Sequence, residues 1–449
     1  MQGLLRSARG RSNPARVLTF SQIHKSWSDR NAHGVLPCNC SVVTVRPHLV
    51  HRPPRVALCG QRTAISQGRV GHAMPKSIAL LSTYPPTQCG LATFTAALYD
   101  HLSIAPADVG VVRVLNDQIG HPSRPEVVAQ LVTASRTSVA AAVAKLNTFD
   151  AVIIQHEYGI YGGTDGVDVL DYVDALTVPV IVVMHTVLTE PTPLRRRILV
   201  ELAGAAQLVV TMTETARTRL INGYGIDAEH VVVIPHGAID HRGLTKTKPT
   251  STGRPVILTW GLLGPGKGIE WAIDALPALR HLNPRYLVVG KTHPKVLERD
   301  GQRYRNSLIA RAQRLGVSDL VEITDKYLEL SELAELVTSA DVVLLPYDSP
   351  DQVTSGVLIE AVAAARPVVA TAFPHATELL TSGSGLTVPR RDPQAIAKAL
   401  DRILSDKVFA ASLAAHAATQ APTLRWDAVA SRYHEVLTEL VAERRVAIA

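Results

Sequence analysis

The fold is decided by Asp351 to Thr371, DQVTSGVLIEAVAAARPVVAT, taken with Gly261 to Gly268, GLLGPGKG, about ninety residues earlier. Each piece joins a loop to the start of a helix within an alternating strand and helix pattern. Helix N-termini present unpaired backbone N–H groups and the positive end of the helix dipole, so they bind phosphate. Two such ends lie in one half of the chain. One carries Lys267, and the other is followed by Glu360. That pairing points to a nucleoside-diphosphate site, with a carboxylate placed to accept hydrogen bonds from ribose hydroxyls.

Working outward, short β-branched runs alternate with helical stretches from Ser77 onward, the signature of parallel sheets with crossover helices. In the first half the expected strands are Ile78–Ser82, Val109–Leu115, Ala151–His156, Val180–His185, Gln207–Met212 and Val231–Ile234. The expected helices include Leu91–Leu102 and Glu126–Leu146. A polar stretch, AIDHRGLTKTKPTSTGR from Ala238 to Arg254, reads as a connection between domains. A second alternating set follows, from Val256–Trp260 to Leu386–Val388. At the end, Trp426, Val429, Tyr433, Leu437, Leu440 and Val441 recur every three or four residues, one face of a long helix. The expected division is an extension over 1–73, a first Rossmann-like domain over 74–240, a linker over 241–254, a second Rossmann-like domain over 255–424 and a terminal helix over 425–449.

Charge divides the chain at the same first boundary. Residues 1–73 hold ten arginines, Lys25 and one acid, Asp29, a surplus of ten positive charges. The whole chain carries +7, so the remainder is slightly acidic at −3. A basic pI therefore does not argue for nucleic acid as a partner. Residues 1–73 show no helical or strand period and no apolar run fit for a secretory signal. Three readings compete for them: an organelle transit peptide, a small metal site built on Cys38, Cys40, Cys59 and His48 or His51, or a mis-assigned start or disordered tail. The last is favoured, because MPKSIALLSTYPP from Met74 reads as a first Rossmann strand. Only Cys89 remains in the body, so no disulfide framework is expected there, and the expected compartment is the reducing cytoplasm. No apolar run reaches membrane-span length, which leaves peripheral membrane contact open.

The body resembles the GT-B glycosyltransferases, and among them the retaining family four (glycosyl transferases group 1). The resemblance runs from about Lys76 to about Ala442. It rests on STYPPTQCGLATF (Ser82–Phe94), QHEYGIYGGTDG (Gln155–Gly166), VVMHT (Val182–Thr186), VVVIPHG (Val231–Gly237), GLLGPGKGIE (Gly261–Glu270), VGKTHP (Val289–Pro294), ADVVLLPY (Ala340–Tyr347) and SGVLIEA (Ser355–Ala361), in that order. The resemblance implies two Rossmann-like domains facing across a cleft, with the C-terminal helix crossing back to the first. It implies transfer of a hexose from a nucleotide-diphosphate sugar to a sugar, glycan or lipid-linked acceptor, with no metal and no cofactor. Lys267 would face the leaving diphosphate, and His185, at the end of an apolar strand, would contact the donor sugar. Gly264, Gly266, Thr354, Ser355 and Gly356 would hold the diphosphate, and Glu360 the ribose. Gly90 would let its loop approach a phosphate or the acceptor, and His156, at the equivalent end of another strand, is a further candidate for contact with the donor.

Two positions depart from the family pattern. Leu262 stands where many relatives carry Arg, and Gln352 where many carry a Glu that touches the donor sugar. These departures keep a non-catalytic nucleotide-sugar binder as a rival. A second rival is a P-loop phosphotransferase, since GLLGPGKG nearly matches G-x4-G-K-[ST]. That match fails at Gly268, which has no hydroxyl for Mg²⁺. Tyr158 and Tyr161 read equally as rings stacking on an acceptor or as core. Asp168, Asp171 and Asp174, spaced by three, read as a solvated helix face.

Overall fold

The computed structural model describes residues 75–116, 124–243 and 253–448. The extension 1–73 and most of the expected linker lie outside these residues. Two parallel sheets organise the rest. The first contains β1 (Ser77–Ser82), β2 (Asp108–Leu115), β3 (Val127–Val132), β4 (Ala151–His156), β5 (Val180–Met184), β6 (Leu208–Thr211) and β7 (Val231–Val233), in the spatial order β3-β2-β1-β4-β5-β6-β7. The second contains β8 (Val256–Trp260), β9 (Arg285–Val289), β10 (Val321–Thr324), β11 (Val342–Leu345), β12 (Val368–Thr371) and β13 (Gly385–Val388), in the order β10-β9-β8-β11-β12-β13.

Helices cover both faces of the first sheet, which is why its strands read as nearly unbroken apolar runs. Successive side chains alternate between two cores. Ala79, Leu81, Val152 and Ile154 enter one, and Ile78, Leu80, Ile153 and Ile181 enter the other. The second core is closed by the helix Gly90–Leu102 and by the terminal helix Trp426–Ile448. Trp426, Val429, Ala430, Tyr433, Leu437 and Val441 bury their side chains against Phe94, Leu98 and Leu102. The chain therefore returns to its first half after completing the second sheet, as the helical spacing and the resemblance implied.

One element differs from expectation. Glu126–Leu146 is not a single helix. Val127–Val132 is the edge strand β3, paired with β2, and the helix occupies only Arg136–Leu146. The run VVAQLV suits a strand, and Ser135 ends the turn after it by accepting the Ser138 N–H at 3.3 Å.

Sheet order reverses direction between β1 and β4 in the first sheet and between β8 and β11 in the second. Ligands of open α/β sheets bind outside the carboxyl ends of strands at such switch points. The loops leaving β1, β4, β8 and β11 are the ones that carry Gly90, Glu157, Gly261–Gly268 and Thr354–Gly356.

The two halves meet through these carboxyl-end loops. Thr93 Oγ1 lies 3.0 Å from the Tyr327 hydroxyl. Lys291 Nζ donates to Gln88 Oε1 and Lys295 Nζ to the Gly159 carbonyl, each at 3.3 Å. Thr213 donates to the Val353 carbonyl at 3.0 Å. These contacts bring the carboxyl-end loops of the two sheets against one another.

Because the terminal helix completes the second of these two cores, Leu437→Ala should destabilise the protein by about 2–5 kcal/mol, the usual cost of emptying a buried leucine site. Urea unfolding measures this. A loss under about 1 kcal/mol would show that the helix is not part of that core.

Candidate functional site

The second half supplies two adjoining turns. Gly268 precedes the helix Ile269–Ala275 with φ of +65°, and any Cβ there would overlap the Pro346 carbonyl oxygen. Glycine is thus required at this position, and the Ser or Thr of a P-loop is sterically excluded. The Lys267 N–H donates to the Gly264 carbonyl at 3.2 Å, and the Asp348 N–H donates to Gly266 at 2.9 Å. These bonds hold the turn against the loop after β11. Lys267 Nζ sits over the Tyr347 ring, 4.3 Å from its centroid. Tyr347 is buried and stacks on Phe373, with ring centroids 5.1 Å apart. No carboxylate pairs with Lys267 among the described residues. The nearby Asp348 is instead engaged by Arg391 at 2.6 Å and Arg390 at 3.9 Å.

The other turn opens the helix Gly356–Ala363. Ser355 caps it, its hydroxyl accepting the Leu358 N–H at 3.2 Å. The Ser355 N–H itself donates to His375 Nδ1 at 2.8 Å. Gly356 and Val357 are then the amides left at the helix start. A Cβ on Gly261 would lie 3.7 Å from Val357, so the two turns are neighbours. Gln352 turns its amide inward and donates to the Thr354 carbonyl. Glu360 lies further along the helix. Both its oxygens accept the Ile239 N–H at 3.2 Å, and His241 Nε2 lies 3.3 Å from one of them.

The first half contributes a set of neutral imidazoles. His185, just past β5, places Nε2 2.7 Å from Gln155 Oε1 on β4. Beside this pair, the Thr186 hydroxyl donates to Glu157. Glu157 also accepts the Tyr158 N–H at 3.0 Å. Burial raises its carboxyl pKa, against the opposing pull of Thr186, the Tyr158 amide, Lys295 and Arg195. His156 is fully buried and neither ring nitrogen has a partner. Burial pushes His156 down to about 4, and His185, which also feels His236 and His156, down to about 3.

Phe94 gathers the site. Its ring meets His185 at 4.9 Å and His236 at 5.0 Å, both edge-on. His236 in turn lies against Gly356, where a Cβ would come within 2.7 Å of Nε2. His185, Gly356 and the turn bearing Lys267 are thereby brought together. His156 sits behind them, packed edge-on against Tyr158 at 5.0 Å. A Cβ on Gly90 would meet no atom within 4 Å.

Tyr158 and Tyr161 are core residues. Their hydroxyls donate to the carbonyls of Arg195 at 3.3 Å and Gln155 at 2.7 Å. Asp171 and Asp174 are solvent-exposed, whereas Asp168 folds its carboxylate over Gly162 and Gly163. Sequence reasoning missed Gln155, Glu157 and His375. Their partners lie 20 to 30 residues away, except for the neighbouring Tyr158 amide.

Comparison with known proteins bears on the family and the fold. The family model for glycosyl transferases group 1 matches residues 254–406, and that for glycosyltransferase family 4 matches residues 90–242. The chain is 30% identical over 296 residues to a D-inositol 3-phosphate glycosyltransferase of Acidothermus cellulolyticus, covering 60% of this chain and 64% of that protein. It is 29% identical over 268 residues to the protein of the same name from Kineococcus radiotolerans, covering 54% and 60%. The chain thus spans somewhat under two thirds of the length of these relatives. Among solved structures, Anabaena HepE in complex with UDP superposes with a TM-score of 0.64 at 19% identity, covering 81% of this chain and all of that one. The fold is therefore that of the GT-B glycosyltransferases.

Two outcomes follow from the local physics. A histidine held neutral by burial binds its proton only in the unfolded chain between about pH 6.5 and its lowered folded value, so stability falls on acidification through that window. For a fully buried imidazole the loss is about 2 kcal/mol by pH 5. His156→Phe should therefore flatten the drop in Tm between pH 7 and pH 5, and an unchanged slope would show that His156 protonates in the folded state. Gly268→Ser completes the P-loop pattern on paper. It should lower Tm sharply and confer no Mg²⁺-dependent nucleoside triphosphate binding, and a stable variant that bound MgATP would contradict the geometry of this turn.

Proposed function

The chain belongs to the glycosyl transferases group 1, and from that premise we propose that it is a retaining hexosyltransferase, moving a hexose from a nucleoside-diphosphate sugar to a hydroxyl of a sugar, glycan or lipid-linked acceptor. The observation that carries this reading is the uncommitted cation of Lys267, held over Tyr347 beside the start of the helix Gly356–Ala363.

Chemistry breaks the bond between the anomeric carbon and the diphosphate oxygen. Negative charge then grows on that oxygen. Lys267, the Gly356 and Val357 amides and the Gly264–Gly266 turn meet it as fixed groups, so little reorganisation is needed as charge develops. The acceptor hydroxyl attacks the same face of the sugar and gives its proton to the departing phosphate. These fixed positive groups take the place of a metal ion. His185, neutral and oriented by Gln155, positions the donor sugar. Glu360 accepts hydrogen bonds from the ribose. Contact between the two halves excludes water and limits hydrolysis of the donor.

The presence of UDP in the HepE structure makes UDP-sugars the first donors to try. The naming of two relatives for D-inositol 3-phosphate puts a phosphorylated cyclitol in the acceptor panel. No described helix is long and apolar enough to cross a membrane, and the proposed location is the cytoplasm.

Release of nucleoside diphosphate, measured with a donor panel in the presence and absence of acceptors, tests the reading. EDTA should leave turnover intact. Activity that vanished with EDTA and returned with Mg²⁺ or Mn²⁺ would overturn the account of charge stabilisation. Lys267 acts on charge that appears during reaction, so Lys267→Ala should lower kcat by about 100-fold or more. Glu360 should bind ribose equally before and during the reaction. Glu360→Gln, which keeps an acceptor for the Ile239 N–H, should raise donor KM by the equivalent of about 1–3 kcal/mol with kcat little changed. Near-normal kcat in Lys267→Ala would remove the leaving group from this turn.

A further inference from the structure

We propose that His375 is a positioning residue for donor binding: it grips the turn Gln352–Ser355 at both ends and so fixes where the Gly356 and Val357 amides point. The inference rests on the donor-site reading given above. His375 is the second residue of the short helix Pro374–Leu379 that follows β12, and it is 2% exposed. Its backbone N–H donates to the Gln352 carbonyl at 3.3 Å. Its Nδ1 accepts the Ser355 N–H at 2.8 Å. One residue therefore holds the first and last positions of a four-residue turn, and that turn leads straight into the amides that face the diphosphate.

The contact requires a lone pair on Nδ1, so the proton of the neutral ring is on Nε2. Burial, reinforced by the neighbouring His236, pushes His375 down to about 3, and Nδ1 remains an acceptor at any working pH. His236 is the titratable neighbour that acts on it, and it is also neutral, lowered to about 4 by burial. Its own Nδ1 lies 2.6 Å from the Gly237 carbonyl, to which it donates. The start of the helix is thus bracketed by two uncharged imidazoles, His375 holding Ser355 and His236 lying on Gly356.

The helix that carries His375 also reaches the first half. Glu378, one turn on, accepts the Glu214 and Thr215 N–H groups at 2.9 Å and the Thr215 hydroxyl at 2.7 Å. The short helix that holds the donor turn is therefore also bonded to the first half, through Glu378. Without the imidazole, the buried Ser355 N–H has no acceptor. The turn would then reorient in the empty protein, and a ligand would have to restore it.

The test is calorimetric titration with UDP, and with ADP and GDP, of the parent protein and three variants, alongside their Tm values. His375→Leu should weaken diphosphate binding by about ten-fold or more, because the orphaned amide frees the turn. His375→Asn places its amide oxygen where Nδ1 lay and should bind within about three-fold of the parent. His375→Gln places its oxygen at the Nε2 position instead and should resemble Leu. A purely structural histidine would lower Tm in all three without this ordering of affinities. Parent-like affinity in a folded Leu variant overturns the inference alone. Should the Leu variant not fold, the Asn and Gln pair decides, and equal affinities for those two overturn it. Failure of the parent to bind any of the three diphosphates overturns the donor-site reading, and this inference with it.

Discussion

The structure depends on a crossing of two chain segments at Ala238. The Ala238 N–H donates to the Leu424 carbonyl at 2.7 Å, and the Trp426 N–H donates to the Ala238 carbonyl at 3.1 Å. The segment leaving the first half and the segment returning to it are thus bonded where they pass. Gly237 has no side chain because the Trp426 indole occupies that space. Trp426 packs on Phe94 at 5.0 Å and on His236 at 5.6 Å. Such aromatic pairs contribute about 0.5–1.5 kcal/mol each beyond the area they bury. Phe94 and His236 are also the rings that join His185 to Gly356. The connection between the halves and the ring cluster that lies against Gly356 are therefore one packed unit.

Elsewhere between the halves the contacts are of another kind. Asp351 accepts the Thr189 N–H at 3.0 Å and its hydroxyl at 2.7 Å, and pairs with Arg219 at 3.3 Å. Glu378 caps the start of the helix Glu214–Arg219, where a carboxylate also meets the positive end of the helix dipole. These groups are polar and partly solvated, so water and salt compete for them. The halves are thus tied by an aromatic unit at one place and by replaceable polar contacts elsewhere, an arrangement compatible with the opening and closing that the proposed reaction would need.

Much of this was legible in the sequence for a physical reason. Strands buried on both faces leave apolar runs whose ends are visible, and tight glycine turns need a local backbone shape that only particular residues permit. Gly268 shows this, since its neighbour Pro346 forbids any side chain. Edge strand β3 was not legible, because an Ala- and Val-rich stretch satisfies the helical and extended periods equally. Gln155, Glu157 and His375 were not legible either. Each acts on a partner from another element, and the contact exists only once the strands are paired. Tyr158 and Tyr161 stood open between acceptor platform and core until their hydroxyls were seen to donate to backbone carbonyls.

The two departures from the family pattern can now be weighed together. Leu262 removes a cation and Gln352 removes a carboxylate, so the formal charge of the site is unchanged by the pair. Lys267 is left without a competing acid at close range, because Arg390 and Arg391 engage Asp348 and because Tyr347 offers a ring face in place of a carboxylate. Gln352, relieved of charge, holds the Thr354 carbonyl through its amide, a bond a glutamate could not donate. On the proposed reading, the two substitutions exchange charged groups for neutral ones, and the turn is held by the Gln352 amide and the His375 ring. With the charges removed, the proposed donor turn relies on hydrogen bonds for its shape, and His375 bonds it at Gln352 and at Ser355.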